Sequence, residues 1–326
     1  MANRQHVLTL VAVCLLSTAC IHRSSVTRHE SPAGALSRSQ ASLRDDLARD
    51  VDALAAGIGP RHAGQSIAAV LEAERWIVER LRDAGLEPER DEIDVAGTIV
   101  ANVVAILPGT TRPDEVVLVG AHYDTVIGSP GADDNASGVA LLLAMAARLV
   151  ETPMERTVRI VFFVNEEDPF TGGMQMGSRV HADRSRERGD DIVLMLNVDS
   201  VGYYKHDKGS QKYPRILRAL FPSRGNFVVF ATDKAHRRVL DRVVALYQEQ
   251  CRFPTIGVAT DSGQINRGDH ASFLWRGYPA LAISDTSEFR NPNYHRSTDE
   301  PATLDLDAMA RMGEGFVGTV RALAGG

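Results

Sequence analysis

The chain has 326 residues, 44% hydrophobic and 24% charged, with a formal net charge of −6. That is globular composition with enough apolar content for one large α/β domain or two small ones. The negative balance argues against a nucleic-acid binder, which needs a basic face for phosphates.

The first twenty residues, MANRQHVLTLVAVCLLSTAC, place Arg4 ahead of an apolar run from Val7 to Leu16 and then small residues up to Cys20. The run is too short to span a bilayer comfortably and reads as a secretory signal over residues 1–20. Ala19–Cys20 resembles a bacterial lipobox, although Ser17 stands where such boxes usually carry leucine. The competing reading is an ordinary cleavage site around Ser17–Ala19. The expectation is export, either as a periplasmic or outer-membrane-anchored lipoprotein or as a secreted protein. Residues 21–39, rich in Ser, Arg, Pro and Gly and without apolar periodicity, read as a flexible tether. One folded domain is expected over residues 40–326.

From Gln40, Leu43, Leu47, Val51 and Leu54 recur at helical spacing until Gly57–Gly59–Pro60. A second helix is predicted from about Ser66 to Ala84, stopped by Gly85. Two strands follow near Glu89–Val95 and Thr98–Leu107. An alternation then begins. EVVLVGAHYD, TVRIVFFVNEE, DIVLMLNVDS, NFVVFATD and PALAISD read as strands. SGVALLLAMAARLVE, MGSRVHADRSRER, KAHRRVLDRVVALYQEQ and the closing LDLDAMARMGEGFVGTVRALA read as helices. Continuous Val/Ile/Leu/Phe strands alternating with helices predict an α/β fold, a mostly parallel mixed sheet covered on both faces.

In open α/β sheets ligands bind outside the carboxyl ends of the strands, so the residues ending each apolar run matter most. These are His122 and Asp124 in GAHYDTV, Glu166 and Glu167 in VNEED, and Asp199 in NVDS. The loop GADDNASG adds Asp133 and Asp134, and PALAISD leads on to His295 and Asp299. Singly, each has a bland reading: a surface His–Asp pair, or acids capping a helix. Together, two histidines and three carboxylates suit two divalent ions bridged by one carboxylate. Cations would also explain why RIVFFVNEED drives a buried strand into three acids. Successive strand side chains face opposite ways, so one of Glu166 and Glu167 ligates while the other is free to handle protons.

GAHYDTV, PGADDNASG, VNEE, NVDSVGYY and YHRSTDE, in this order, resemble the secreted bacterial di-zinc aminopeptidases, metallopeptidase family twenty-eight. The similarity runs from about Gly59 to the C-terminus and implies a zinc-exopeptidase-like fold. It implies that His122 and Asp199 hold one zinc, that Glu167 and His295 hold the other, and that Asp134 bridges them. Glu166 is implied as general base, and Asp124 as the group that orients His122 through its far ring nitrogen. A cis peptide after the bridging aspartate, here Asp134–Asn135, is also implied. Tyr294 matches a position where some relatives stabilise the oxyanion; the alternative is an aromatic packed over the site. RGDHASFLWRGYPA resembles a segment that usually reads Ser-Asp-His, with Gly268 in place of the serine. Asp269 and His270 are expected to support the pocket from behind, with substrate contact by His270 as the alternative.

The resulting expectation is a metal-dependent exopeptidase acting on a peptide or small amide, most simply an aminopeptidase. It would carry two Zn2+, with Co2+ or Mn2+ also suited to mixed His and carboxylate ligands. The rivals are a glutaminyl cyclase of the same fold and a binding protein that has lost catalysis. His62, His181, His206 and His236 read as surface residues. The basic stretch from Tyr203 to Asn226 reads as a solvated loop or as one wall of the cleft.

Overall fold

The computed structural model describes residues 22–26, 34–213 and 221–326. The signal and the Cys20 lipobox lie outside the described residues, as do 27–33 of the tether and 214–220 of the basic loop.

Among the described residues, nine strands form one sheet: β1 (His22–Val26), β2 (Glu89–Val95), β3 (Thr98–Leu107), β4 (Arg112–His122), β5 (Arg156–Phe163), β6 (Asp191–Val198), β7 (Val228–Thr232), β8 (Thr255–Ala259) and β9 (Ala280–Ser284). Their order is β1-β8-β7-β9-β6-β4-β5-β3-β2. The central four, β9, β6, β4 and β5, run parallel. Antiparallel pairings flank them, β3 on β5 and β2 on β3 at one side and β7 on β9 at the other. The expected mixed sheet is therefore parallel where it matters for ligands, at its centre. Part of the segment read as a tether departs from that reading: His22–Val26 is an edge strand antiparallel to β8. Strand β8 itself carries too few apolar residues in sequence to stand out as a strand.

The helices are α1 (Arg38–Val51), α2 (Ile67–Asp83), α3 (Gly138–Leu149), α4 (Gly177–Arg188), α5 (Arg237–Gln250), α6 (Asp269–Leu274) and α7 (Leu306–Ala324). Helix α1 starts at a capping box in which Ser37 and Gln40 satisfy each other's backbone N–H groups. Helices α1, α2, α3, α5 and α7 cover one face of the sheet over the larger core, while α4 and α6 cover the other. The period-two alternation of β4 shows the division. Val117, Val119 and Ala121 enter the larger core, and Val116 and Leu118 the smaller. Helix α3 is buried nearly all round, Val139 to Ala146 without interruption, each large aliphatic contributing roughly 1.5–3 kcal/mol on burial.

Register puts the ends of the central strands level. His122 pairs with Phe163, and Gly120 pairs with both Val161 and Asn197. Gly120 is required there: a Cβ would lie 2.3 Å from the Phe163 ring, which packs across it.

Candidate active site

His122 is the last residue of β4, and Asp199 follows the last residue of β6. After β5 the chain turns through Asn165, whose φ is +60°, and delivers Glu166 and Glu167 beside them. Asp134 comes from the kinked turn Ala132–Ser137 ahead of α3, and the Asp134–Asn135 peptide is cis, as the resemblance implied. His295 arrives on the loop after β9.

These five converge. Nε2 of His122 lies 3.2 Å from Asp134 Oδ1 and 3.7 Å from Asp199 Oδ1. Nε2 of His295 lies 3.1 Å from Asp134 Oδ2 and 3.4 Å from Glu167 Oε1. Two ligand groups result, His122–Asp134–Asp199 and Asp134–Glu167–His295, each with its donor atoms within 4.8 Å of one another. Asp134 belongs to both. The donor set, imidazole nitrogen with carboxylate oxygen, fits zinc.

The supporting contacts explain why the cluster holds. Nδ1 of His122 lies 3.1 Å from the backbone carbonyl of Asp124 and only 3.6 Å from its carboxylate. A carbonyl can only accept, so Nδ1 carries a proton there, and Nε2 is the ring nitrogen that faces the site. The Asp124 carboxylate is occupied elsewhere, accepting the N–H groups of Glu166 (3.0 Å) and Glu167 (3.1 Å). Asp299 does the same for the other acidic pair, accepting from the N–H groups of Asp133 and Asp134 at 3.1–3.2 Å. Asp133, facing away from the ligands, accepts from Gly202 N–H and from the Asn291 side chain, both at 2.8 Å, and so ties in the loop that carries His295. Asn135 donates to the carbonyl of Val198, next to Asp199.

Two residues that sequence reading did not place are central to this scaffold. Arg61, fully buried, donates from Nε to the carbonyl of Tyr123 (2.6 Å), from Nη1 to Pro130 (2.6 Å), Gly59 and Leu54, and from Nη2 to Gly131 (3.0 Å). It fixes the residues flanking His122 and Asp134. His62 is buried rather than on the surface, its Nδ1 accepting from Gly64 N–H while Nε2 donates to the Asp168 carbonyl, one residue past Glu167. His181 is also buried, on α4, with Nδ1 2.8 Å from Asp91. His206 is exposed and His236 half-buried, in keeping with their surface reading.

The electrostatics follow from crowding acids in a buried place. Burial works against ionisation of Asp134, but hydrogen bonds from His122 and His295 outweigh it and hold its pKa below the usual carboxylate range. Burial raises Glu167 to about 7, helped by the charge of Asp134. Glu166 is pushed well up, first by burial; His122 opposes the shift, and Glu167 and Asp269 add to it. For His295, burial lowers the pKa, yet Asp134 and Glu167 raise it to about 10. The cluster thus attracts positive charge strongly. Bound cations satisfy the same demand.

A cavity of about 260 Å³ opens beside the ligands, lined by Glu166, Asp199, Tyr294 and His295 among others. The Tyr294 ring stacks on His295, centroids 3.8 Å apart. Asp269 and His270 lie buried on α6, a helix sequence reading missed because it is short. Among the described residues of the Tyr203–Asn226 stretch, none lines this cavity; Tyr203, Tyr204 and Gln211 are buried and the remainder forms no helix or strand.

The model of peptidase family M28 matches residues 102–320, about two thirds of the chain. The chain belongs to peptidase family M28. It is a zinc metallopeptidase, and the α/β fold is the one the family implies. It is 30% identical over 304 residues to the uncharacterized protein YfbL of Escherichia coli K12, covering 90% of this chain and 88% of that one. It is 29% identical over 239 residues to leucine aminopeptidase 1 of Arthroderma otae, covering 68% of this chain and 58% of that protein. Among solved structures, BSAP, a zinc aminopeptidase from Bacillus subtilis, shares the fold of this peptidase with a TM-score of 0.67. The identity is 16%, over 86% of this chain and 95% of that one. A glutaminyl cyclase from Porphyromonas gingivalis shares it with a TM-score of 0.62 and 20% identity, over 86% of this chain and 98% of that one.

Proposed function

We propose that this peptidase is an aminopeptidase with two zinc ions bridged by Asp134 and with Glu166 as general base. One observation carries the reading: the two oxygens of Asp134 face different histidines, His122 at 3.2 Å and His295 at 3.1 Å. A carboxylate so shared has one donor for each of two cations. The aminopeptidase relatives favour release of an N-terminal residue over other amide cleavage.

When bound, zinc lowers the pKa of water toward about 7 and polarises the scissile carbonyl. Asp124 holds the backbone of Glu166 so that its carboxylate faces the cavity. Glu166 accepts a proton from the attacking water and later delivers it to the leaving amine. Burial raises its pKa, and a carboxyl that holds a proton more readily than a free one suits a group that must keep the proton between the two transfers. Tyr294, on the cavity wall, would donate to the oxyanion. Arg61 and His62 position the ligand loops without touching the reacting atoms.

Metal analysis of purified variants tests the reading. Two zinc equivalents are expected in the unaltered protein, about one in His295→Ala, and two in Glu166→Gln, with turnover of Glu166→Gln down by 10²-fold or more. A fully active Glu166→Gln protein overturns the base assignment. Parallel assays of N-terminal residue release and of cyclisation of N-terminal glutamine separate the aminopeptidase from the glutaminyl cyclase. No bound metal and no hydrolysis after zinc or cobalt addition would leave the binding-protein reading.

We also propose export, with Cys20 as a lipid attachment point, on the strength of the N-terminal charge and apolar run. Incorporation of labelled palmitate that is lost in Cys20→Ala tests the anchor; unlabelled protein in the culture medium points to ordinary secretion.

A further inference from the structure

We propose that Asn197, Gly268 and the Nδ1 atom of His270 form a polar subsite in the active-site cavity, selecting a substrate side chain that both donates and accepts hydrogen bonds, a primary carboxamide above all. The inference rests on the aminopeptidase reading and names the substrate class for that same site.

Asn197 is 1% exposed and His270 4% exposed, and both line the cavity with Glu166 and Asp199. Among the described residues, neither amide atom of Asn197 has a hydrogen-bond partner, and neither does His270 Nδ1. Buried polar atoms are nearly always paired, so three unpaired ones on one cavity wall point to a ligand. Strand β6 alternates, and Asn197 shares the face of Met195, toward α6. The Nε2 of His270 donates to the Ile265 carbonyl at 2.9 Å, which leaves Nδ1 as an acceptor. Burial lowers the His270 pKa to about 4, so the ring is neutral at working pH.

Gly268 makes the hollow between them. A Cβ built there would sit 3.5 Å from His270 Nδ1 and 3.7 Å from Asn197 Nδ2, so both polar atoms border the space a side chain would fill. At φ +82° and ψ 174° the position also disfavours any side chain, and the hollow stays open. Where the resembling segment usually carries a serine hydroxyl, this chain offers room for a substrate group.

The chemistry of the wall selects the ligand. A carboxamide can accept from Asn197 Nδ2 while donating to Asn197 Oδ1 and His270 Nδ1; a hydroxyl can make one donation and one acceptance. A carboxylate side chain would meet Glu166 and Asp199 across the cavity. An aliphatic side chain would cover three polar atoms and satisfy none, the situation in which hydrogen-bonding sites discriminate most strongly.

Isosteric pairs test this directly. Zinc-loaded protein is assayed on dipeptide amides whose first residue is glutamine or methionine, asparagine or leucine, threonine or valine. The polar member of each pair is expected to show at least tenfold higher kcat/KM, and Asn197→Leu to bring the ratios to one or below without changing zinc content. Equal or reversed ratios in the unaltered protein overturn the proposal and make the wall merely solvated. Calorimetric titration of zinc-loaded Glu166→Gln protein with glutamine amide and methionine amide reads the subsite without turnover. Tighter glutamine amide supports it, and equal or tighter methionine amide overturns it. Failure to release any N-terminal residue sinks the aminopeptidase reading alone, since the titration still decides the subsite.

Discussion

The Asp124 carboxylate accepts the backbone N–H of Glu166 at 3.0 Å, and with its other oxygen that of Glu167 at 3.1 Å. One buried acid therefore sets the position of both the proposed base and a ligand, through backbone rather than side chain. The His122 imidazole is held mainly by the Asp124 carbonyl, so the pair acts through two different groups of the same residue.

Asp124→Asn should separate these roles. Its carboxamide keeps one acceptor but turns an N–H₂ toward one of the two backbone donors, while the carbonyl on His122 remains. Turnover is expected to fall 10–100-fold with zinc content little changed. Steady-state kinetics beside metal analysis checks it; loss of zinc without loss of intrinsic rate would assign Asp124 to His122 instead.

Arg61→Lys should destabilise more than the conservative label suggests. The guanidinium satisfies five backbone carbonyls in a fixed planar spread, the buried ones of Leu54, Gly59, Tyr123 and Gly131 and the partly buried one of Pro130. An ammonium has three donors at one point and cannot reach them all. Stranded buried acceptors cost about 1–3 kcal/mol each, so a loss of roughly 3 kcal/mol or more is expected in urea unfolding.

Removing metal should destabilise as well. Binding to the folded state alone contributes about 2.7 kcal/mol at a hundredfold excess over Kd, worth about 4 °C in Tm for a chain of this length. As the proposed ligands, His122 and His295 would bind metal as neutral imidazoles, so protons would compete as pH falls. The Tm difference between zinc-loaded and chelator-treated protein is expected to narrow from pH 8 to pH 5. A constant difference would argue against histidine ligation.

Asp269 gives a pH signature of its own in the metal-free protein. Burial raises its pKa from 3.8 to about 7, against a lowering by His122. Between those values the folded state binds the extra proton, so stability falls as pH rises from about 4 to about 7 and levels off above. Asp269→Asn cannot titrate and should remove that part of the slope, on the order of a few kcal/mol across the window. Denaturant titrations of both proteins at several pH values measure it.

The sequence alone determined the parallel centre of the sheet and the identity of the five clustered groups. Buried parallel strands announce themselves as unbroken apolar runs, and their carboxyl ends must lie together, so His122, Glu166, Glu167 and Asp199 were legible where those runs stop. Asp134 and His295 were placed by motif order. Tertiary structure decided what each of these touches. His62 and His181 read as surface residues because polar side chains in a loop and on a charged helix give no local sign of burial. Their partners, the Asp168 carbonyl and Asp91, stand 106 and 90 residues away in the chain, respectively. The edge strand β1, the clamps formed by Asp124, Asp299 and Arg61, and the meeting of Asn197 with Gly268 and His270 depend equally on distant chain. Apolar periodicity reports the face a residue shows to the core; hydrogen-bond partners from distant segments are fixed only once the chain has packed.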